Sequence, residues 1–329
     1  MESLVSLVII NYNNKSYLSR CMDSIISQSY NNIEVIFIDN SSKDGSFEYF
    51  SENYPEPTFI KVKNEINNGY SGAANQGIKM SSGEFIMIIN PDIILEPNFI
   101  ENIYNYAITN KDIAAITGKL LKYDFQQDKK LNYIDSTGIV MTSNRIFIDR
   151  GQNDEDRGQY QEIQQVFGVC GAAPFYKREA LDFISIDGEY FDEDFFAYKE
   201  DIDLSWRFNK AGYRCMYYPF ALAYHGRGFG RKGGGIKSYI KHRKSISKFI
   251  RGIAMRNNYL MLIKNDSIKS LTKDFIPISI SILKALIFSL IFEQSNLRYL
   301  LQVFKLKKKM LYKRNELDNK IKLRESGNI

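Results

Sequence analysis

The chain has 329 residues, 44% apolar and 25% charged, the composition of a globular protein with one large or two modest cores. Collagen-like, coiled-coil and low-complexity classes are excluded. The formal charge of +6 is unevenly spread, since residues 1–225 carry 20 Lys and Arg against 32 Asp and Glu, while residues 226–329 carry 24 against 6. Two regions with different partners are expected. Cys21, Cys170 and Cys215 are odd in number and lack metal-ligand spacing, so no disulfide framework is expected and a reducing cytoplasm fits. The start MESLVSLVIINYN has neither a basic n-region nor a small-residue cleavage site, so no secretory signal is expected.

The first 120 residues alternate β-branched runs with amphipathic stretches. LVSLVII, IEVIFID, TFIKVK and EFIMII read as strands, and SYLSRCMDSIISQ, DGSFEYFSEN and SGAANQGIKMS between them read as helices. The alternation predicts an α/β fold, with a mostly parallel, Rossmann-like central sheet covered by helices on both faces. Ligands of such sheets gather at the carboxyl ends of the strands. The polar residues that stand out occupy those ends: Asn11, Tyr12 and Asn13, then Asp39 and Asn40, then Asn67 to Gly69, then Asn90 to Asp92. A nucleotide is the leading ligand for such a cleft. The first turn, NYNNKS, has no glycine, which sets aside the dinucleotide-binding fingerprint, and there is no P-loop motif either. Phosphates here need another device to neutralise them.

A metal ion is that device. Asn90-Pro91-Asp92 ends a buried run, where a carboxylate must meet a cation or hydrogen-bond donors; a strand-to-turn cap is the plain alternative. His225, after the strand-like ALAYH, completes with Asp92 a feasible divalent site whose other ligands are phosphate oxygens and water, although a lone histidine there also serves structural roles.

A second constellation spans residues 191–215, FDEDFFAYKEDIDLSWRFNKAGYRC. Its spacing predicts a helix from Glu200 with Gly212 as the stop, which puts Glu200 and Asp201 in the first turn. Acids there complement the helix dipole. Six acids within residues 192–203, interleaved with Phe191, Phe195, Phe196, Tyr198 and Trp206, exceed what capping needs. A carboxylate fixed at a helix start in an aromatic-walled cleft suits a general base.

With these residues assembled, the chain resembles the inverting glycosyltransferases of family 2, which have the GT-A fold, and among them the rhamnosyltransferase-like members. The matching pieces run in order: VIINYN, VIFIDNSSKDGS, NNGYSGAANQG, IMIINPD, GVCGAAPFYKREAL, FDEDFFAYKEDIDLSWR and YHGRG, over roughly residues 3–227. The resemblance implies that Asp39 and the Asn11 region grip the nucleobase, and that Asn68, Gly69 and Asn75 line the nucleoside pocket. It implies that Gly171 and Ala172 border the donor sugar and acceptor, that Asp92 is the metal-binding acid and that Asp201 is the base, with Glu200 orienting substrate. Asn90 replaces the first acid of the family's DxD motif, so its contact is a neutral hydrogen bond and metal affinity without nucleotide should be low. GRGFGRKGGG after His225 resembles a loop closing over the pyrophosphate, with Arg227, Arg231 and Lys232 adding charge; a linker is the alternative.

Beyond residue 230 composition must speak, and the expected division is a GT-A domain over 1–230 and a basic, mainly helical extension over 231–329. GIKSYIKHRKSISKFIRGIAMRNNYLMLIK and VFKLKKKMLYKRNELDNKIK are basic and helical in spacing, and between them lies the apolar run 275–292, interrupted by Pro277 and Lys284. That run reads as an interfacial or core-packed helix, with a membrane span as the alternative. The excess positive charge favours peripheral attachment to the anionic inner face of the cell membrane; pairing with the acidic domain, within the chain or across a homodimer, is the other reading. Nucleic acid is not expected as a partner. The function read from sequence is Mg2+- or Mn2+-dependent, inverting transfer of a sugar from a nucleotide-diphosphate donor, such as dTDP-rhamnose or a UDP-sugar, to a hydroxyl of a surface glycan, glycolipid or protein. A non-catalytic nucleotide-sugar-binding subunit with the same fold is the alternative.

Overall fold

The computed structural model describes residues 2–227 and 235–327. Its first third follows the expected alternation: β1 (Val5–Asn11), α1 (Lys15–Ile26), β2 (Ile33–Asp39), α2 (Ser46–Asn53), β3 (Ile60–Lys63), α3 (Gly69–Met80) and β4 (Phe85–Ile89). Then come β5 (Ile93–Leu95), α4 (Phe99–Ile108), β6 (Ile113–Asp124), β7 (Lys129–Ser136), β8 (Ile139–Met141), β9 (Phe147–Asp149), β10 (Gln164–Val166), β11 (Phe175–Lys177), α5 (Arg178–Ile184), α6 (Glu200–Lys210) and β12 (Arg214–His225). The C-terminal helices are α7 (Ile236–Ser245), α8 (Lys248–Asn265), α9 (Ile268–Lys273), α10 (Phe275–Phe292) and α11 (Leu297–Glu325).

The main sheet runs β10–β12–β6–β11–β4–β1–β2–β3, with β5 added on β12 and β7 on β6. β3, β2, β1 and β4 are parallel, as are β6 and β12, and β11 lies antiparallel between the two sets. The expected mostly parallel α/β sheet is therefore present. β1 and β4 are buried along their whole length because both faces are covered, which is why they read as unbroken apolar runs. Leu7, Ile9, Phe37 and Met87 pack on one face, and their neighbours Val8, Ile36, Ile38 and Ile88 pack on the other, the period of two that a strand imposes.

Gly212 ends α6 in the left-handed region, φ 78°, as its place in the sequence suggested. The run 235–264 is broken: α7 stops at Ser245, and Ser247 starts α8 by accepting the Ile250 N–H at 3.2 Å. α8 and α11 share a core with α6, in which Leu260, Met261 and Met310 meet Ile202, Trp206 and Phe195. Lys264 and Lys313 are buried on Asp192, and Lys264 also reaches Asp203 at 2.9 Å. The basic excess of the C-terminal region thus meets the acidic excess of the sheet region within one chain. α10 differs: it has a mean hydropathy of 2.3 with 11% of its residues buried, and among the described residues it is the helix long and apolar enough to cross a membrane.

Candidate active site

β1 and β2 end in register at Asn11 and Asp39. Asn11 Nδ2 donates to Asp39 Oδ2 at 2.9 Å, and Asp39 Oδ1 accepts the Ser42 N–H at 2.9 Å. Both side chains are fully buried and neither lines the large cavity, and Asn11 Oδ1 has no hydrogen-bond partner among the described residues. The carboxylate is taken up in shaping the loop that carries Ser42. Tyr12, 48% exposed, lines the large cavity over the strand ends. Asn13 does not; it sits at φ 56° and its Oδ1 accepts the Lys43 N–H at 2.7 Å.

Asn40 organises the next loop. Its Nδ2 donates to Asn67 Oδ1 at 3.0 Å and to the Gly69 carbonyl at 2.9 Å, and its Oδ1 accepts the Asn68 N–H at 3.1 Å. Asn40, Asn67 and Gly69 line the cavity, whereas Asn68, at the start of α3, does not. Gly69 has φ 74°, and a Cβ there would meet the Phe196 carbonyl at 2.4 Å, so only glycine lets α3 start against that loop. Asn75 belongs elsewhere, which corrects its expected place in the nucleoside pocket. It is buried, donating to the Phe191 carbonyl at 2.8 Å and accepting the Tyr190 and Phe191 N–H groups, and so pins the segment that leads to α6.

Asp92 and His225 come together. β12 and β5 pair Ile93 with His225, which brings His225 Nε2 to 3.4 Å from Asp92 Oδ2. Nδ1 of the same ring is 2.7 Å from Asp135 Oδ2 on β7. Burial disfavours charge on this imidazole, but the hydrogen bonds to Asp135 and Asp92 and their negative charges outweigh it and push its pKa up to about 9. A divalent cation satisfies the same carboxylates, so one bound here takes the proton's place. A histidine oriented through its far nitrogen by a carboxylate, beside a second carboxylate, fits Mg2+ or Mn2+. No group of three or more His, Cys, Asp or Glu side chains is arranged to hold an ion among the described residues, so a cation on this pair would need further ligands from donor oxygens and water. Asn90 also lines the cavity, its N–H donating to the Ala172 carbonyl at 2.9 Å.

Glu200 and Asp201 open α6 as expected, after a segment under strain: Phe196, Tyr198 and Lys199 all have positive φ, 65° to 75°. Asp201 Oδ2 accepts the Gly171 N–H at 3.2 Å, and a Cβ on residue 171 would sit 3.2 Å from that carboxylate, so Gly171 permits the approach. Burial raises the pKa of both acids. It pushes Glu200 up to about 8, with the Asp201 charge adding to the rise, while the Lys199 charge opposes the rise at Asp201. Glu200 Oε2 is buried with no hydrogen-bond partner, whereas Asp201 accepts the N–H groups of Gly171 and Ile202. Burial therefore disfavours charge on both acids, while the Gly171 and Ile202 N–H groups favour it on Asp201 and Glu200 Oε2 has no such donor.

One amide holds the strained loop in place. Asn257 Nδ2 on α8 donates to the carbonyls of Phe195, Ala197 and Tyr198 at 2.8–2.9 Å, and Arg256 Nη2 adds the Asp194 carbonyl at 2.7 Å. Trp206 does not line the cavity, which corrects its expected place in the aromatic wall of the substrate cleft: it packs on Phe147 and Phe167 at 5.6 Å, because the apolar stripe of α6 faces the C-terminal helices. Arg227 lines the cavity and pairs with Asp149 at 2.8 Å. Arg231 and Lys232 lie outside the described residues. Sequence reasoning missed Asp135, Asp149 and Asn257. Asp135 closes a strand run, LNYID, as Asp92 nearly does, and that signal was available; nothing in the sequence ties Asn257 to residue 197.

Gly171, Ala172, Glu200, Asp201, Asp92 and His225 all line the same cavity. The "Glycosyl transferase family 2" model matches residues 6–184. Glycosyltransferase GlyG of Streptococcus pneumoniae serotype 4 (strain ATCC BAA-334 / TIGR4) is 34% identical over 125 residues, 38% of this chain and 41% of that protein. Poly-beta-1,6-N-acetyl-D-glucosamine synthase of Staphylococcus aureus (strain COL) is 24% identical over 226 residues, 67% of this chain and 49% of that protein. The matched part of the chain spans less than half the length of either relative. The fold is similar to that of S. aureus TarS 1-349 in complex with UDP-GlcNAc, with a TM-score of 0.57 at 16% identity over 99% of this chain and 91% of that one. It is also similar to GalNAc-T7 with UDP, GalNAc and Mn2+, with a TM-score of 0.55 at 15% identity over 83% of this chain and 54% of that one. The sheet is that of the GT-A glycosyltransferases, and the chain belongs to glycosyl transferase family 2.

Proposed function

We propose that the chain transfers a sugar from a nucleotide-diphosphate donor to an acceptor hydroxyl, with Asp201 as general base and inversion at the anomeric carbon. The observation that carries this reading is the placing of Asp201, held by the Gly171 N–H, in one cavity with the Asp92–His225 pair. Asp201 accepts the proton of the acceptor hydroxyl, the acceptor oxygen bonds to the anomeric carbon, and the bond from that carbon to the diphosphate oxygen breaks. Asp92 and His225 would hold a Mg2+ or Mn2+ ion, which would supply positive charge to the departing diphosphate. Gly171 and its amide hold the base at the sugar edge, and Arg227 adds a cation on the same wall. UDP-GlcNAc in TarS and UDP with Mn2+ in GalNAc-T7 support a UDP-sugar donor and a divalent ion. The exposed apolar face of α10 and the basic C-terminal surface support peripheral attachment to an anionic membrane face.

Thermal-shift titration with UDP, dTDP and GDP sugars, with and without Mn2+, tests the donor reading. One donor class is expected to stabilise the protein only with Mn2+, and Asp92→Ala is expected to abolish that stabilisation. Equal stabilisation of parent and variant would remove Asp92 from the site.

A further inference from the structure

The cavity over Asp201 continues past the strand ends. Its volume of about 1970 Å3 is roughly twice the ~1,000 Å3 upper range for a site enclosing one drug-sized ligand. A donor sugar nucleotide occupies the end bounded by Asn40, Asp92 and His225 under the reading above. The remainder is walled by α8 and α10, two helices outside the family match, through Phe249, Ile250, Met255, Ile280 and Phe288. The two parts join at the base, because Phe196 of the strained loop meets Phe249 of α8 edge-on at 5.5 Å. An acceptor that presents a hydroxyl to Asp201 therefore has its remaining length along an apolar channel.

That channel also carries cationic and unsatisfied polar groups. Arg243, Arg251 and Lys284 line it, with Glu293 as the acid among them. Glu293 pairs with both arginines, at 2.6 Å and 3.0 Å, which leaves the group net positive. Arg251 is 7% exposed and Asn296 1%, both line the cavity, and Arg251 Nε and Asn296 Oδ1 are buried without a hydrogen-bond partner among the described residues. A buried guanidinium N–H with no acceptor is costly unless a ligand supplies one. An anionic oxygen is that acceptor.

Resting on the sugar-transfer reading, we propose that the acceptor is an amphiphile: a hydroxyl at Asp201, a phosphate against Arg251 and Arg243, and a hydrocarbon chain along the α8–α10 channel. The test uses the full chain and farnesyl phosphate as probe, with farnesol and inorganic phosphate as partial probes, each followed by calorimetric titration. Farnesyl phosphate is expected to bind at least tenfold more tightly than either partial probe. Ala254→Trp and Ala285→Trp, which fill the channel from its two walls, are each expected to weaken it tenfold or more while leaving the Mn2+-dependent donor shift unchanged. Absence of farnesyl phosphate binding, or equal affinity in parent and both variants, would overturn the proposal. Equal binding of farnesol would overturn the phosphate contact. If no nucleotide sugar shifts any of the proteins while farnesyl phosphate still respects the channel variants, the donor reading fails and the channel stands.

Discussion

The strand ends and the start of α6 position their side chains by different means. At the strand ends the partners come from neighbouring strands and the loops just beyond them: Asn11 meets Asp39 across one parallel pair, 28 residues apart, and Asn40 ties the loop that leads into α3. At α6 they come from the far end of the chain. Asn257 reaches back 60 residues to the Ala197 carbonyl, and Lys313 reaches back 121 to Asp192. A sheet fixes its own edge through register, whereas three departures into positive φ within residues 196–199 need an outside clamp. The lesson is that the C-terminal helices hold the segment that leads into Glu200 and Asp201.

Breaking the ion cluster tests that contrast most severely. Lys313→Met leaves Asp192 and Asp194 short of a buried partner, and removal of one member of a buried pair destabilises by about 3–5 kcal/mol. Urea unfolding should show that loss in a single transition that includes the sheet. A sheet transition identical to the parent's would make the helices an independent unit.

Asn257→Leu sharpens the comparison, because it keeps the shape and removes the donors facing three carbonyls. Stability should fall by about 2–3 kcal/mol, in line with buried carbonyls left unpaired. Turnover should fall at least tenfold while the donor-induced thermal shift persists, since donor contacts lie at the strand ends. Loss of stability with turnover unchanged would show that the clamp does not position the base.

A pH-dependent effect concerns Glu200. Its folded-state pKa is raised to about 8 from an ordinary 4.5, so the folded protein binds this proton more tightly than the unfolded chain. The stability it supplies is full below pH 4.5 and is lost as pH rises through 8, with a slope of at most about 1.4 kcal/mol per pH unit, the limit for one proton. Glu200→Gln should flatten the stability profile between pH 4.5 and 8, measured by urea unfolding across that range. An unchanged slope would mean that Glu200 is not the protonated member of the pair.

Much of the sheet was legible because its cues are local. β1, β2 and β4 are apolar runs ended by polar turns, and Gly212 marks a helix end through its own backbone freedom. The Asp92–His225 meeting was legible as chemistry, since a strand-end carboxylate and a strand-end imidazole both seek a cation. Trp206 and Asn75 misled for one reason: an aromatic or an amide on a helix announces burial or bonding but not against which layer, and here the layers were the C-terminal helices and the 190–193 segment. Asp39 shows a second role that spacing does not announce, since a polar residue at a strand end also builds the loop beyond it. The short strands from β7 to β11 carried weak periodicity, and long-range partners such as Asp135 and Asn257 leave no trace in spacing.

The most direct test of the account is turnover by Asp201→Asn, measured beside donor binding on the same preparation. The substitution keeps the shape of the side chain and a cap-competent oxygen, so folding and the Mn2+-dependent donor shift should match the parent. Transfer of the sugar should fall by about 10²- to 10⁴-fold, the range for loss of a positioned base. An Asp201→Asn protein that binds donor and retains most of its transfer rate would contradict the assignment of Asp201 and the chemistry built on it.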